Sequence, residues 1–278
     1  MTGIVFRPFL ATAWFAGAAI AAAVPGGGAR AEAALVASPH APGSPVCAAP
    51  ANLLHLAQPL PHLARRLGAG QPVRIVALGS SSTAGAGASS PANAYPPRLE
   101  AELRRLFPRA HVTVVNRGVN GEEASDMLAR FDESVAAEKP DLVLWQVGSN
   151  AILRDYPLAP AAKLINQGVD RMKTIGADVV LIDPQFAPKV LAKVEVDDMV
   201  ELIETAAKHA NVNVFHRFAL MRYWRQTARI PFRAMLSEDE LHMNDWSYGC
   251  LAKLLAGSIA EAANRATVTA TATAPAAR

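Results

Sequence analysis

Five short, almost uninterrupted apolar runs recur along the chain: Val73–Leu78, Val112–Val115, Leu142–Val147, Val179–Ile182 and Val212–Phe215. Strands that are apolar on both faces must be covered on both faces, which is the situation of a parallel sheet between helices. The stretches between the runs supply that cover. Leu99, Leu103 and Leu106 share one helical face behind Pro96 and Pro97, whose missing N–H groups are tolerated at a helix start. Met127, Leu128, Phe131 and Val135 line a second helix, Leu164, Ile165, Val169 and Met172 a third, and Met199, Val200, Ile203 and Ala207 a fourth. A last helix, residues 246–263, turns Leu251, Leu254, Leu255, Ile259 and Ala262 inward. This alternation predicts an α/β domain with a parallel five-stranded sheet and helices on both faces. In such sheets ligands bind outside the carboxyl ends of the strands, so the residues leaving each strand are the ones to read for chemistry.

Those exits are unusual in composition. The first run leads into Gly79-Ser80-Ser81-Ser82-Thr83, the second into Asn116-Arg117-Gly118-Val119-Asn120-Gly121, the third into Gly148-Ser149-Asn150-Ala151, and the fourth into Asp183-Pro184-Gln185. Before the last helix stands Asp239-Glu240-Leu241-His242, in which Asp239 and His242 have the spacing that brings two side chains together in a helical turn. A carboxylate there fixes the imidazole tautomer and leaves the other nitrogen as a base for a serine hydroxyl. The Gly121 N–H and the Asn150 side-chain amide are candidate donors to a tetrahedral oxyanion. Each of these residues alone also reads as an ordinary turn or cap residue. Phosphate binding is the rival reading of the serine loop, but no lysine lies between Val73 and Gly87 for a Walker loop, and Gly85-Ala86-Gly87 lacks the third glycine of a dinucleotide fingerprint. A flavin-phosphate loop of hydroxyls and glycines stays open and leaves Asp239 and His242 without a role.

Taken in order, the four blocks Gly79–Thr83, Asn116–Gly121, Gly148–Ala151 and Asp239–His242 resemble the SGNH, or GDSL-type, hydrolases, from Val73 to about Ala263. The resemblance implies a three-layer α/β/α, flavodoxin-like fold, Ser81 as nucleophile, His242 as base and Asp239 as its partner. It also implies an oxyanion site made by the Ser81 amide, Gly121 and Asn150, and no metal or organic cofactor. Two positions depart from the family pattern: Ser80 stands where the family has aspartate, and Ala151 replaces the aspartate that follows the oxyanion asparagine. The implied reaction is hydrolysis of an acetyl or short-acyl ester through an acyl-enzyme, with a small ester or acylated carbohydrate as substrate. Lysophospholipid or thioester cleavage on the same fold is the alternative, as is a carbohydrate-binding or acyl-transfer-associated module without hydrolysis. Gln146, Arg154 and Gln185, together with Asp155 and Tyr156, are candidates to shape the substrate pocket. The segment His216–Trp224 is read as a core helix stripe rather than an acyl pocket. Since the neutral form of a histidine is the base, turnover is expected to rise from acid toward neutral pH.

The ends of the chain carry less information. Arg7, the uncharged run Phe9–Val24 and the small residues to Ala31 read as a signal peptide over residues 1–31, too short for a span of about 20 residues. Secretion or a periplasmic location follows, with no membrane span after cleavage. Residues 32–70 are expected to form a flexible arm, rich in Ala, Pro, Ser and Gly from Glu32 to Pro50, and residues 71–265 the hydrolase domain. Residues 266–278 are expected to be a disordered tail. The chain has 27 basic and 24 acidic residues. Loss of Arg7 and Arg30 brings it close to neutral, which disfavours nucleic acid as a partner. The two cysteines, Cys47 and Cys250, are expected to pair if the protein is exported, and to be buried thiols otherwise. Oligomeric state leaves no trace in the sequence.

Overall fold

The computed structural model of the protein describes residues 44–273. The expected signal peptide and the first part of the expected arm lie outside the described residues. All five apolar runs are strands: β1 (Val73–Gly79), β2 (Val112–Gly118), β3 (Leu142–Gln146), β4 (Asp178–Ile182) and β5 (Asn213–Phe215). They form one parallel sheet in the order β2-β1-β3-β4-β5. The strands are apolar because the sheet is central: Ile75, Val76, Ala77, Leu78 and all of Leu142–Trp145 are fully buried.

The helices Pro61–Gly68, Tyr95–Leu106 and Asp245–Thr273 pack together on one face. The helices Ala124–Ala129, Leu158–Thr174 and Val196–Ala210 pack on the other. The result is the three-layer α/β/α architecture. From β1 the chain crosses to β2 on one side and then returns to β3 on the other, so the loops leaving β1 and β3 diverge. The crevice between them is where ligands bind in folds of this order.

The helical faces read from the sequence are buried as expected, with local exceptions. Leu106, at the last position of its helix, is exposed. The second helix is broken into Ala124–Ala129, Phe131–Ser134 and a 3-10 turn Ala136–Glu138, yet Met127, Leu128, Phe131 and Val135 all face the core. The segment His216–Trp224 is a helix, Arg217–Gln226, whose Phe218, Leu220, Met221 and Trp224 are buried core residues. The final helix runs to Thr273, so it takes in residues of the segment expected to be a disordered tail. Alanine has the highest helix propensity, and adding a residue to an existing helix needs no new nucleus.

The larger correction concerns residues 44–70, which are an ordered part of the domain and not a flexible arm. Leu56, Leu60 and Leu63 repeat at helical spacing and are almost fully buried; burying such a side chain contributes about 1.5–3 kcal/mol. Polar contacts then fix the register. The Leu63 N–H donates to Asp178 (2.9 Å), Gln58 N–H to Asn213 Oδ1 (2.7 Å), and His62 and Arg66 both reach the buried Asp141 carboxylate at 3.1 Å. Further upstream, Trp246 and Trp224 donate their indole N–H groups to the carbonyls of Pro45 and Ala48. Cys47 and Cys250 are joined by a disulfide, with their Cα atoms 5.4 Å apart. Replacing both cysteines by serine is expected to lower unfolding stability by about 2–4 kcal/mol, read as a lower urea midpoint with an active native state.

Candidate active site

β1 ends at Gly79, and the chain turns through Ser80 into the short helix Ser81–Ala84. Ser81 is thus lifted to the carboxyl edge of the sheet, with its side chain only partly buried. Its Oγ lies 2.7 Å from His242 Nε2, and His242 Nδ1 lies 2.5 Å from Asp239 Oδ2. The Asp239–His242 segment is a tight non-helical turn, closed by the antiparallel bridge between Leu236 and Met243. Asp239 shapes the turn itself: Oδ1 accepts the Leu241 and His242 N–H groups and the Ser237 hydroxyl. Local backbone bonding of this kind is what makes aspartate a turn former. Burial pushes the Asp239 carboxyl up, but the His242 side chain and this ring of donors outweigh it and hold it well below the usual carboxylate range.

The end of β2 and the residue after it clamp the serine turn from one side. Asn116 donates to Thr83 O (2.9 Å), and the Val119 N–H to Gly79 O (3.0 Å). Gly118 passes so close that a methyl built there would sit 2.1 Å from Ala84 N and 2.6 Å from the Thr83 carbonyl carbon. Those are backbone atoms and cannot step aside. Gly118→Ala is expected to destabilise by at least about 1–3 kcal/mol and to lower turnover by displacing Ser81, measurable by thermal melting beside an ester assay.

Beyond it, Gly121 adopts a φ of +80°, a conformation that favours glycine. Arg154 fixes this loop by donating to Gly121 O (2.8 Å) and Glu123 Oε1 (2.7 Å), while Arg130 forks onto Glu122 and Arg117 O. Asn150, on the helix Ser149–Leu153 after β3, donates one amide N–H to Glu122 O at 2.7 Å. That bond orients its side chain and leaves its second N–H uncommitted. Among the described residues the backbone N–H groups of Ser81 and Gly121 also lack an acceptor. Acyl transfer requires a hydroxyl bonded to imidazole together with uncommitted donors for an oxyanion.

Of the five residues expected to shape the substrate pocket, the two glutamines face inward. Gln146 is 1% exposed and Gln185 2% exposed, so neither presents its amide to a substrate. Gln146 Oε1 accepts the Ser80 N–H and hydroxyl, both at 2.9 Å, and the Thr83 hydroxyl at 3.4 Å. The bracing oxygen therefore comes from the end of β3 in a chain that has serine at position 80. Gln185 ties Ser149 to Leu241, and Arg154 is on the rim with its guanidinium already engaged. Asp155 pairs with Lys193 at 2.7 Å. Ala151 is buried, and a cavity of about 20 Å³ behind Asn150 is lined by Met127, Tyr156, Ile165 and Met199. A carboxylate at position 151 would be desolvated there.

Sequence reasoning missed a second clamp. Asp245 accepts the Ser89 N–H (2.8 Å) and hydroxyl (2.5 Å) and the Asn93 amide, and Arg98 donates to Asp245 O. Tyr248 donates to Ala86 O at 2.7 Å. The start of the last helix therefore holds the segment after Ser81, and its Ser247 hydroxyl donates to Met235 O just ahead of the histidine turn. The nearest sequence signal was an acidic residue opening a helix. Among the described residues no cluster of His, Cys, Asp or Glu has the arrangement of a metal site, and no helix is long and apolar enough to cross a membrane.

Several known proteins are similar to this chain. An acetylxylan esterase of Geobacillus stearothermophilus is 39% identical over 56 residues, 20% of this chain and 26% of that protein. An arylesterase of Vibrio mimicus is 26% identical over 151 residues, 52% of this chain and 70% of the arylesterase. Among solved structures, a two-domain esterase active on acetylated mannans superposes with a TM-score of 0.62 at 20% identity, over 76% of this chain and 56% of that one. The acetylxylan esterase of G. stearothermophilus gives 0.57 at 20% identity, over 67% of this chain and 94% of its own. The chain thus spans about a quarter of the first curated relative and little more than half of the mannan esterase; the structural matches support the fold. The sequence pattern of the non-GDSL lipase-like family matches residues 46–265, and with four-fifths of its length covered the chain belongs to that family.

Proposed function

We propose that this protein hydrolyses carboxylic esters, with acetyl or other short acyl groups on a carbohydrate as the substrate class. The observation that carries the reading is the continuous line from Asp239 through His242 to Ser81, with contacts of 2.5 and 2.7 Å. Its likeness to esterases of acetylated xylan and mannan supports the choice of substrate.

In this mechanism Ser81 Oγ attacks the ester carbonyl while His242 Nε2 takes its proton. Asp239 holds Nδ1–H and stabilises the imidazolium. The carbonyl oxygen, now negative, receives the Ser81 and Gly121 N–H groups and the free amide N–H of Asn150. Collapse of the tetrahedral species breaks the bond to the alcohol oxygen, and His242 returns the proton to the departing sugar hydroxyl. Water then repeats the sequence on the acyl-enzyme, with His242 again as base, and releases the acid and free Ser81. The disulfide between Cys47 and Cys250 supports an exported location, since such bridges persist in oxidising compartments.

The test is a panel of acetylated xylo- and manno-oligosaccharides beside nitrophenyl esters of increasing acyl length. Acetate release from the oligosaccharides, and rates falling with chain length, are expected. Preference for long acyl chains or lysophospholipids would replace the carbohydrate reading with the lipid one, and no release from any ester would overturn ester hydrolysis.

A further inference from the structure

Arg217 is fully buried, an uncommon place for a guanidinium. It opens the helix that follows β5, and its side chain reaches back across the carboxyl ends of the neighbouring strands. Nε donates to Asp183 O at the exit of β4 (2.9 Å), and Nη2 to Gln185 Oε1 (3.1 Å), with Ser149 Oγ at 3.5 Å. Nη1 makes no hydrogen bond. The Asp183 carboxylate, 1% exposed, supplies the opposite charge and accepts the Phe218 N–H at 2.8 Å.

Gln185 is the branch point. Its Oε1 accepts from Arg217 and from the Ser149 hydroxyl (2.8 Å), and its Nε2 faces Leu241 O at 3.4 Å. Ser149 immediately precedes Asn150, and Leu241 immediately precedes His242. An amide side chain can turn end for end, but a guanidinium only donates. Arg217 therefore decides which way Gln185 lies: the oxygen must face Arg217, so the N–H groups must face the histidine turn. Lysine has the charge without the rigid fork, and one ammonium does not reproduce the two divergent bonds to Asp183 O and Gln185.

We propose that Arg217 is a positioning residue for the reaction at Ser81, acting through Gln185 to hold the oxyanion asparagine and the base histidine in register. The proposal rests on the esterase reading of the site, and it assigns function to a residue that touches no substrate. The signal is kinetic. Loss of register acts on the transition state more than on substrate binding, and misplacement by about 1 Å costs about 100-fold.

Arg217→Lys and Gln185→Leu are tested in the full chain with a short acyl ester, following kcat, KM, melting temperature and the rate at which a fluorophosphonate labels Ser81. The expected result is a fall in kcat of about 10- to 100-fold, KM changed by less than about threefold, and labelling slowed in proportion. Ile259→Ala, in the core of the last helix, serves as the destabilised comparison: its melting temperature falls while kcat per folded molecule holds. If Arg217→Lys does not fold, Gln185→Leu reads the same link. Folded variants with wild-type kcat and labelling rate would overturn the positioning role while Ser81 remained the nucleophile. An unlabelled Ser81 in the wild type, with turnover surviving in Ser81→Ala, would overturn the site reading and this proposal with it.

Discussion

Ser81→Ala is expected to lower kcat for a short acyl ester by about 10⁴- to 10⁶-fold while leaving the melting temperature within a degree or two of wild type. The hydroxyl is the only part of Ser81 that the substitution removes; the N–H donor and the turn remain. Its contact with His242 is at the surface end of the helix, so removing it opens no core cavity. Small folded-state cost and very large kinetic cost are the joint signature of a nucleophile. The measurement is initial rate on purified protein, with mass spectrometry to confirm that the acyl group accumulates on Ser81 and not elsewhere. A clean Ser81→Ala preparation that keeps more than a few per cent of the wild-type rate would falsify the assignment.

Asp239→Asn is the second. The amide keeps the size of the carboxylate but presents a donor where His242 Nδ1–H needs an acceptor, which favours the wrong imidazole tautomer; a loss of about 10³- to 10⁴-fold in kcat is expected. The Asp239 carboxyl is held well below the usual carboxylate range, burial being outweighed by the donors around it. A depressed folded-state value contributes stability that is fully present above the ordinary carboxylate pKa and is lost progressively as pH falls from there through the lowered value. Bringing the wild type to the ordinary carboxylate range therefore leaves Asp239 charged and its turn intact. Loss of turnover on mild acidification should reverse fully on return to neutral pH, checked by rate recovery and an unchanged near-ultraviolet dichroism spectrum.

The central layer was readable because burial on both faces leaves no other composition for a strand: Ile75–Leu78 and Leu142–Trp145 have no polar face to disguise them. The residues of the site were readable for a different reason, since each sits where a strand ends and polar residues abruptly begin. What escaped was long-range. The helix Pro61–Gly68 is only eight residues long, in a context rich in proline and alanine, and its anchors Asp141, Asp178 and Asn213 are distant in sequence. Gln146 and Gln185 were found in the right place but given the wrong direction, because strand-end position says nothing about whether a side chain turns to solvent or inward. Arg217 was hidden among aromatic and methionine neighbours that suit a core stripe. Its partners become visible only when β5 is seen beside β4.

Every residue proposed for the chemistry lies between the two cysteines, 203 positions apart in sequence. The chain from Cys47 to Cys250 is thus closed into a covalent ring, with most of the last helix continuing beyond it. A protease that cuts a surface loop once, for instance at the exposed Val194, opens the ring without releasing a fragment. The nicked protein keeps its mass apart from the added water, and its two pieces part in denaturant only after reduction.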